Sequence, residues 1–276
     1  MRLKKALMFG IPGLLLAAGT ASATVWGLGV ENPVTENAQG INSLTKLLMP
    51  IIIGITAFVF ILMGYIMFRF REKANPVPSK TTHNTLIEII WTVLPVIILL
   101  VIAAPSLQLL YDQDRIKDTT LTVKATGNTW SWTYSYPDLE GVDEIYSNPL
   151  NAEQAAAAGK PYLKAADAPL VVPSGTRVKV QVTSSNNLHA FTVPDFGVKV
   201  DAIPGIINEV WFEVFDGKEG IYYGQCAELC GVYHYYMPIE VKVVSPSEFD
   251  QWVANGGSFD TASTHSGGAV LTAEAE

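Results

Sequence analysis

The residues of this chain that could do chemistry are concentrated near its C-terminal end. The stretch GQCAELCGVYHYYM contains both cysteines of the chain, one of its four histidines and a methionine, spaced Cys226-x3-Cys230-x3-His234-x2-Met237. A further histidine, His189, lies thirty-seven residues before Cys226. Two thiolates, two imidazoles and a thioether are soft ligands, which favour copper over the metals that prefer oxygen. The cluster therefore predicts a copper site.

Two other interpretations of the cysteine pair stay open on spacing alone. In an oxidising compartment an even pair of cysteines usually forms a disulfide, although so short a loop gains little from closure. A single-copper blue site uses one thiolate, two imidazoles and an axial methionine, and it leaves the second cysteine unexplained. Two thiolates bridging two copper ions would use every ligand in the cluster.

The elements that must position this cluster begin with a targeting segment and a membrane anchor. Residues 1–23 have the basic start, the apolar run and the Ala-Ser-Ala motif of a signal peptide, so we expect a mature chain from Thr24 with an external segment over 24–46. Residues 47–110 contain two apolar runs, 47–68 and 86–110, each long enough to cross a bilayer. This pattern predicts a transmembrane helical hairpin.

The charges of the hairpin linker predict its orientation. Arg69, Arg71, Lys73 and Lys80 stand against Glu72, a net charge of +3, while both outer flanks are poor in Lys and Arg. Short positively charged loops remain in the cytoplasm. We therefore expect both mature termini, and everything after Leu110, on the outer side of the membrane, which for a bacterial inner membrane is the periplasmic side.

The region from 111 to 257 is predicted to be an all-β domain. Alternating apolar residues recur in several short segments, among them Val178, Val180 and Val182, whereas Glu240 and Lys242 alternate with apolar neighbours and should face solvent. One helix should follow Ser245, which is placed as an N-cap with Pro246 and Glu248 behind it. Residues 148–167 are expected to form an inserted loop with one helical turn, and residues 258–276 a disordered tail.

The same external region is strongly acidic. After Leu110 there are ten Lys and Arg against twenty-two Asp and Glu, a net charge of −12. Such a surface suits a basic protein partner, and no nucleic-acid partner is expected.

These residues together resemble a known family. The motif Cys-x-Glu-x-Cys-Gly-x-x-His-x-x-Met, residues 226–237, is similar to the binuclear copper A motif of subunit II of haem-copper cytochrome c oxidases. The resemblance extends over most of the mature chain through Trp91-Thr92-x-Leu94-Pro95, Pro105-Ser106-Leu107, Trp130-x-Trp132, Leu188-His189-x-Phe191 and Asp201-Ala202-Ile203-Pro204-Gly205.

The resemblance implies a fold, a function and a set of ligands. The fold would be a membrane-anchored cupredoxin-like Greek-key β-barrel, which takes electrons from cytochrome c and passes them to haem in subunit I, where oxygen is reduced to water with proton pumping. The two copper ions would share Cys226 and Cys230, with His189 and His234 as terminal ligands. Met237 and the backbone carbonyl of Glu228 would be the weak ligands, and the Glu228 side chain would bind a magnesium ion shared with subunit I.

The resemblance also assigns two residues whose local sequence is ambiguous. Trp130 matches the tryptophan that receives electrons from cytochrome c, although on sequence alone Trp130 and Trp132 could be ordinary packing aromatics of a strand. Glu88, the only formal charge in the second apolar run, matches the mouth of a proton path into the catalytic subunit, whereas a charge near an interface can simply reach water.

Four residues depart from the family pattern. Thr129 and Ser131 flank Trp130 where a glutamine and an aromatic are usual, Asn186 stands where an acidic residue usually precedes the first histidine ligand, and Ile206 replaces an arginine. None is a copper ligand. We expect these departures to affect donor docking and the contact with subunit I and the other oxidase subunits.

Overall fold

The computed structural model describes residues 29–77, 79–116 and 118–259. The predicted signal peptide and nearly all of the predicted tail lie outside the described residues. Two long helices come first, α1 (Glu36–Arg69) and α2 (Thr85–Asp114), and both have the length and composition of membrane spans. Their apolar side chains are mostly exposed in the chain alone, as expected for a hairpin that packs against lipid or other subunits.

Helix α1 begins well before the apolar run that predicted it. Thr35 is its N-cap, where the side-chain oxygen accepts a hydrogen bond from the Ala38 amide and the hydroxyl donates to the Phe196 carbonyl at 2.7 Å. Asn37 donates from its side chain to the Trp211 carbonyl at 3.2 Å. The first turn of α1 is therefore hydrogen-bonded to the β domain. Part of the segment over 24–46, which was predicted to precede the first membrane span, is helical.

The β domain consists of two five-stranded sheets. One has the order β3-β2-β1-β5-β8 and the other β4-β10-β9-β6-β7. The strands are β1 (Leu121–Asn128), β2 (Ser131–Ser135), β3 (Ile145–Ser147), β4 (Leu170–Pro173), β5 (Arg177–Ser184), β6 (His189–Val193), β7 (Val198–Ala202), β8 (Asn208–Glu213), β9 (Gly220–Cys226) and β10 (Pro238–Val244). Non-consecutive neighbours in both sheets mean that the chain crosses between them, and the all-β prediction is confirmed.

The core lies between the two sheets and follows the predicted alternation. Val178, Val180 and Val182 are fully buried on β5, and Trp132 and Phe191 bring large rings into the same cluster. Helix α4 (Pro246–Ala254) closes the domain with the predicted capping box, in which Ser245 and Glu248 satisfy each other's backbone amides. A packed sandwich of this kind gives the loops at its ends a rigid base.

The expectation that Glu240 faces solvent is wrong. Its side chain is fully buried on β10, where one carboxylate oxygen accepts from Lys160 Nζ at 2.8 Å and the other from the Ala166 amide at 3.0 Å. Both partners belong to the insertion, which contains the predicted helical turn as α3 (Ala152–Ala157). Strand alternation correctly places Glu240 on the face opposite Ile239 and Val241, but it could not predict that the insertion covers this face of the sheet.

Candidate metal centre

The sheet that contains β6 and β9 brings the two separated parts of the ligand cluster together. These strands are antiparallel neighbours, with Phe191 opposite Cys226, so His189 at the start of β6 lies beside the end of β9. The loop after Cys226 returns into β10, and the Cys226 amide donates to the Met237 carbonyl at 2.9 Å. A loop closed at its base between two hydrogen-bonded strands holds its side chains in fixed positions.

The five predicted side-chain ligands form a chain of close contacts. The distances are 3.8 Å from His189 Nδ1 to Cys226 Sγ, 3.8 Å between the two Sγ atoms, 3.6 Å from Cys230 Sγ to His234 Nδ1 and 4.0 Å from Cys230 Sγ to Met237 Sδ. Each imidazole therefore lies beside a different sulfur, with the two sulfurs between them. The ligand atoms of His189, Cys226 and Cys230 all lie within 4.8 Å of one another, as a metal site requires.

Both cysteines are buried and free, so the disulfide interpretation is not supported. Their sulfur atoms stand 3.8 Å apart, whereas a disulfide bond is about 2.05 Å long. Burial and the neighbouring Cys226 raise the pKa of the Cys230 thiol to about 12. Without a metal this site therefore keeps the thiol protonated, and a cation that binds the thiolate must displace that proton.

His189 is held by the surrounding protein as well as by its strand. Its ring is fully buried, and burial followed by the charge of His234 lowers the pKa of the imidazole. His189 Nε2 donates to Asn186 Oδ1 at 3.0 Å, which leaves the lone pair on Nδ1 directed towards the sulfur of Cys226. Gly127 makes room for the ring, since a Cβ there would lie about 3.0 Å from it.

Glu228 adjoins both the ligand cluster and a surface cleft. The Glu228 carbonyl lies 3.3 Å from Cys226 Sγ, so a backbone oxygen adjoins the cluster of sulfur and nitrogen ligands. The half-buried residue also lines an open cleft on the surface of the domain, together with Asp114, Lys199, Asp201 and Glu209. Carboxylate oxygens of this kind are what magnesium prefers.

Trp130 is in direct contact with the ligand loop. The half-buried indole donates from Nε1 to the Cys230 carbonyl at 3.2 Å, although 100 residues separate the two in sequence. The same carbonyl accepts from the Asn187 side chain at 2.9 Å. Trp132, two residues on, is fully buried in the core. The structure thus joins the predicted electron-receiving tryptophan to the backbone of a predicted copper ligand.

Glu88 lies elsewhere in the chain. It is in the first turn of α2, where its carboxylate accepts from the Asn84 amide at 3.2 Å and so caps the helix. About 26 helical residues separate it from the end of α2, a distance of roughly 40 Å at 1.5 Å per residue. The structure therefore does not bring Glu88 together with the other predicted site residues.

Sequence reasoning missed two contacts of this site. It treated Asn186 as a lost surface charge, whereas the side chain holds a ligand, and it gave Tyr233 no role. The Tyr233 ring lies against Trp130 with centroids 4.9 Å apart. The position of Asn186 three residues before His189 was the only signal for the first contact, and nothing in the sequence indicated the second.

Comparisons with known proteins point to a single family. A model described as cytochrome c oxidase subunit II, periplasmic domain, matches residues 121–244, and the corresponding transmembrane domain model matches residues 23–109. Cytochrome c oxidase subunit 2 of Cereibacter sphaeroides is 41% identical over 86% of this chain and 83% of its own length. A probable cytochrome c oxidase subunit 2 of Rickettsia felis is 40% identical over 83% of this chain and 72% of its own length.

One solved structure is similar to the β domain in sequence. The crystal structure of the periplasmic domain of subunit II of cytochrome oxidase (CoxB) from Bradyrhizobium japonicum is 44% identical to this chain, covers 51% of it and 96% of its own length, and has a TM-score of 0.47. The matching models and the full-length relatives show that this chain belongs to the cytochrome c oxidase subunit II family.

Proposed function

We propose that this electron-transfer subunit of a haem-copper oxidase accepts electrons from cytochrome c at a binuclear copper A centre and passes them to haem in subunit I. The observation that carries the proposal is the arrangement of ligands, in which two free thiols stand side by side between two imidazoles. A single-copper site would leave one thiol without a role. When bound, a pair of copper ions sharing both thiolates would take up and release one electron at a time.

The residues of this chain have separate tasks in holding that pair. Cys226 and Cys230 would bridge the ions, His189 and His234 would each bind one of them, and Met237 with the Glu228 carbonyl would be the weak ligands. The sandwich and the closed loop fix these groups before a metal arrives. Ligands that move little between oxidation states keep the cost of rearrangement low, which favours fast electron transfer.

Trp130 supplies a route from the surface to the centre. Its indole is partly exposed and its Nε1–H donates to the carbonyl of Cys230, so a single residue connects a docked donor to a bridging ligand. The part of the chain after Leu110 has a net charge of −12, and this charge would attract a basic cytochrome c at long range. The contact at Trp130 would then be local and largely apolar.

The proposed place of the protein in the membrane follows from the hairpin. The positively charged linker lies between α1 and α2 and would face the cytoplasm, so the copper domain would be periplasmic in a bacterial inner membrane. Glu88, near the linker end of α2, would then open a proton path into subunit I from the cytoplasmic side. Glu228 would bind a shared magnesium ion at the subunit I contact, since the cleft that it lines is also lined by Asp114, Asp201 and Glu209.

Metal analysis of the purified full-length chain, combined with thiol titration, tests the proposal. We expect two copper ions per chain and no disulfide after the metal is removed under anaerobic conditions. A copper-free protein with a Cys226–Cys230 disulfide, or a protein with a single copper, would contradict the binuclear centre. Rapid loss of copper to a mild chelator would instead indicate a copper carrier.

A further inference from the structure

The indole of Trp130 is in contact with two residues of the ligand loop. At Gly231, with a φ of +116°, the backbone comes so close that an added Cβ would lie 3.2 Å from the indole. The ring of Tyr233 meets the indole edge to face, with centroids 4.9 Å apart and planes at 86°. Edge-to-face contacts at this distance are favourable for aromatic pairs. Both neighbours belong to the loop that also contains Cys230 and His234.

Tyr233 is also part of the surface beside the site. The residue is 47% exposed, and the adjacent Val232 is 76% exposed. Within the part of the chain that the structure describes, the Tyr233 hydroxyl makes no hydrogen bond, so the contact with Trp130 depends on the ring. The neighbouring position in sequence, Ser131, offers Trp130 no aromatic partner of its own.

We propose that Tyr233 is a positioning residue for electron transfer from the donor. Its ring holds the indole of Trp130 in the orientation in which Nε1–H reaches the Cys230 carbonyl, and its exposed side forms part of the surface that a c-type cytochrome contacts. This inference rests on the proposed function of Trp130 as the electron-receiving residue. The ligand loop would then both hold the metal and orient the tryptophan through which electrons reach that metal.

The test compares variants in the assembled oxidase, with stopped-flow reduction of the copper centre by a saturating c-type cytochrome. Tyr233→Ala should lower the saturated rate by about three- to tenfold, the factor that corresponds to losing one aromatic pair. Tyr233→Phe should restore most of the rate, since it keeps the ring. Tyr235→Ala is the matched control, because Tyr235 is a more exposed tyrosine of the same loop whose ring contacts Tyr233 and Tyr236.

Two further measurements separate positioning from general damage to the loop. Copper content and the rate of reduction by a small-molecule reductant should stay at wild-type values in Tyr233→Ala. In a Trp130→Ala background, Tyr233→Ala should cause no additional slowing, because the ring would have no indole to position.

The outcomes are distinguishable. A Tyr233→Ala protein as fast as wild type would overturn the inference, and so would a Tyr233→Phe or Tyr235→Ala protein as slow as Tyr233→Ala. Additional slowing in the Trp130→Ala background would also contradict it. Wild-type protein that takes no electrons from the cytochrome would overturn the proposed function itself, whatever the variants do.

Discussion

The buried groups around Glu240 and those around the two cysteines differ in how many of their hydrogen-bonding atoms have close partners in the protein. Around Glu240, both carboxylate oxygens have strong donors within 3.0 Å, from Lys160 and from a backbone amide. Around Cys226 and Cys230, the sulfurs have neighbours only at 3.3 to 4.0 Å, and thiols are weak hydrogen-bonding groups.

This difference separates a structural cluster from a functional one. Both carboxylate oxygens of Glu240 have hydrogen-bond partners within the folded chain, and these contacts attach the insertion to the sheet. The soft donors of the second cluster are still able to bind a ligand, and under the proposed function that ligand is copper. The two clusters should therefore respond in opposite ways to mutation, the first through stability and the second through metal content.

The largest expected effect is the loss of the metal centre. Cys226→Ser should abolish the paired copper site, because a hydroxyl is a poor bridging ligand for copper, while the fold remains. Copper per chain and the visible spectrum check this result. His83→Ala is the control, since His83 lies in the linker beside Thr82 and should keep both ions. A Cys226→Ser protein that still binds two coppers would disprove the bridging role.

The next effect concerns the cluster around Glu240. Lys160→Met should lower the free energy of unfolding by about 3 kcal/mol, because it leaves a buried carboxylate without its cation; we take the low end of the usual range since Lys160 is partly exposed. Chemical unfolding of the full chain in detergent, followed by tryptophan fluorescence, measures this. The copper spectrum should not change. Loss of copper in this variant would show that the two clusters are not independent.

Trp130→Ala should affect neither metal content nor stability strongly, but it should slow electron transfer. We expect a larger loss than for Tyr233→Ala, since the whole connection from the surface to the Cys230 carbonyl disappears. The slowing should be present at every salt concentration, because it acts within the bound complex. If Trp130→Ala transfers electrons as fast as wild type, Trp130 has no role in the route.

The contrast between the clusters also shows what the sequence could predict. Four ligand side chains lie within twelve residues, so their chemistry was visible without a structure. Strand alternation predicted the core valines of β5 correctly, because one face of this strand is buried in the core and the other is partly exposed. Alternation could not predict the burial of Glu240, because the insertion that buries it comes from a distant part of the chain. The contact between Trp130 and Tyr233 depends on loop conformation, which no residue pattern encodes.

A smaller effect is expected at the other end of the hairpin. Glu88→Ala should slow the turnover of the intact complex and leave the copper spectrum and the reduction of copper by its donor unchanged. Because Glu88 also caps α2, Glu88→Gln is the sharper variant: it keeps an oxygen acceptor for the Asn84 amide but cannot carry a proton as a carboxylate does. Wild-type turnover of Glu88→Gln over a range of pH would leave Glu88 with only its capping role.

The smallest expected effect is at Asn186, where the copper site meets the surface. Asn186→Asp adds a negative charge at an exposed position beside His189, so association with a basic cytochrome c should be faster at low salt. One added charge pair in water is worth about 1 kcal/mol at 4 Å, which limits the gain to about fivefold. The gain should disappear as salt rises, since the Debye length is about 10 Å at 0.1 M.

Asn255→Asp is the matched control. Asn255 is an exposed residue at the C-terminal end of α4, and α4 follows the end of β10 opposite to the ligand loop. The same added charge there should change the association rate much less. Stopped-flow association rates across a salt series compare the two variants. An equal increase in association rate for both variants would mean that the total charge of the domain attracts the donor, and that the position of a charge near His189 does not matter. A rate that does not depend on salt in the wild type would contradict electrostatic attraction altogether.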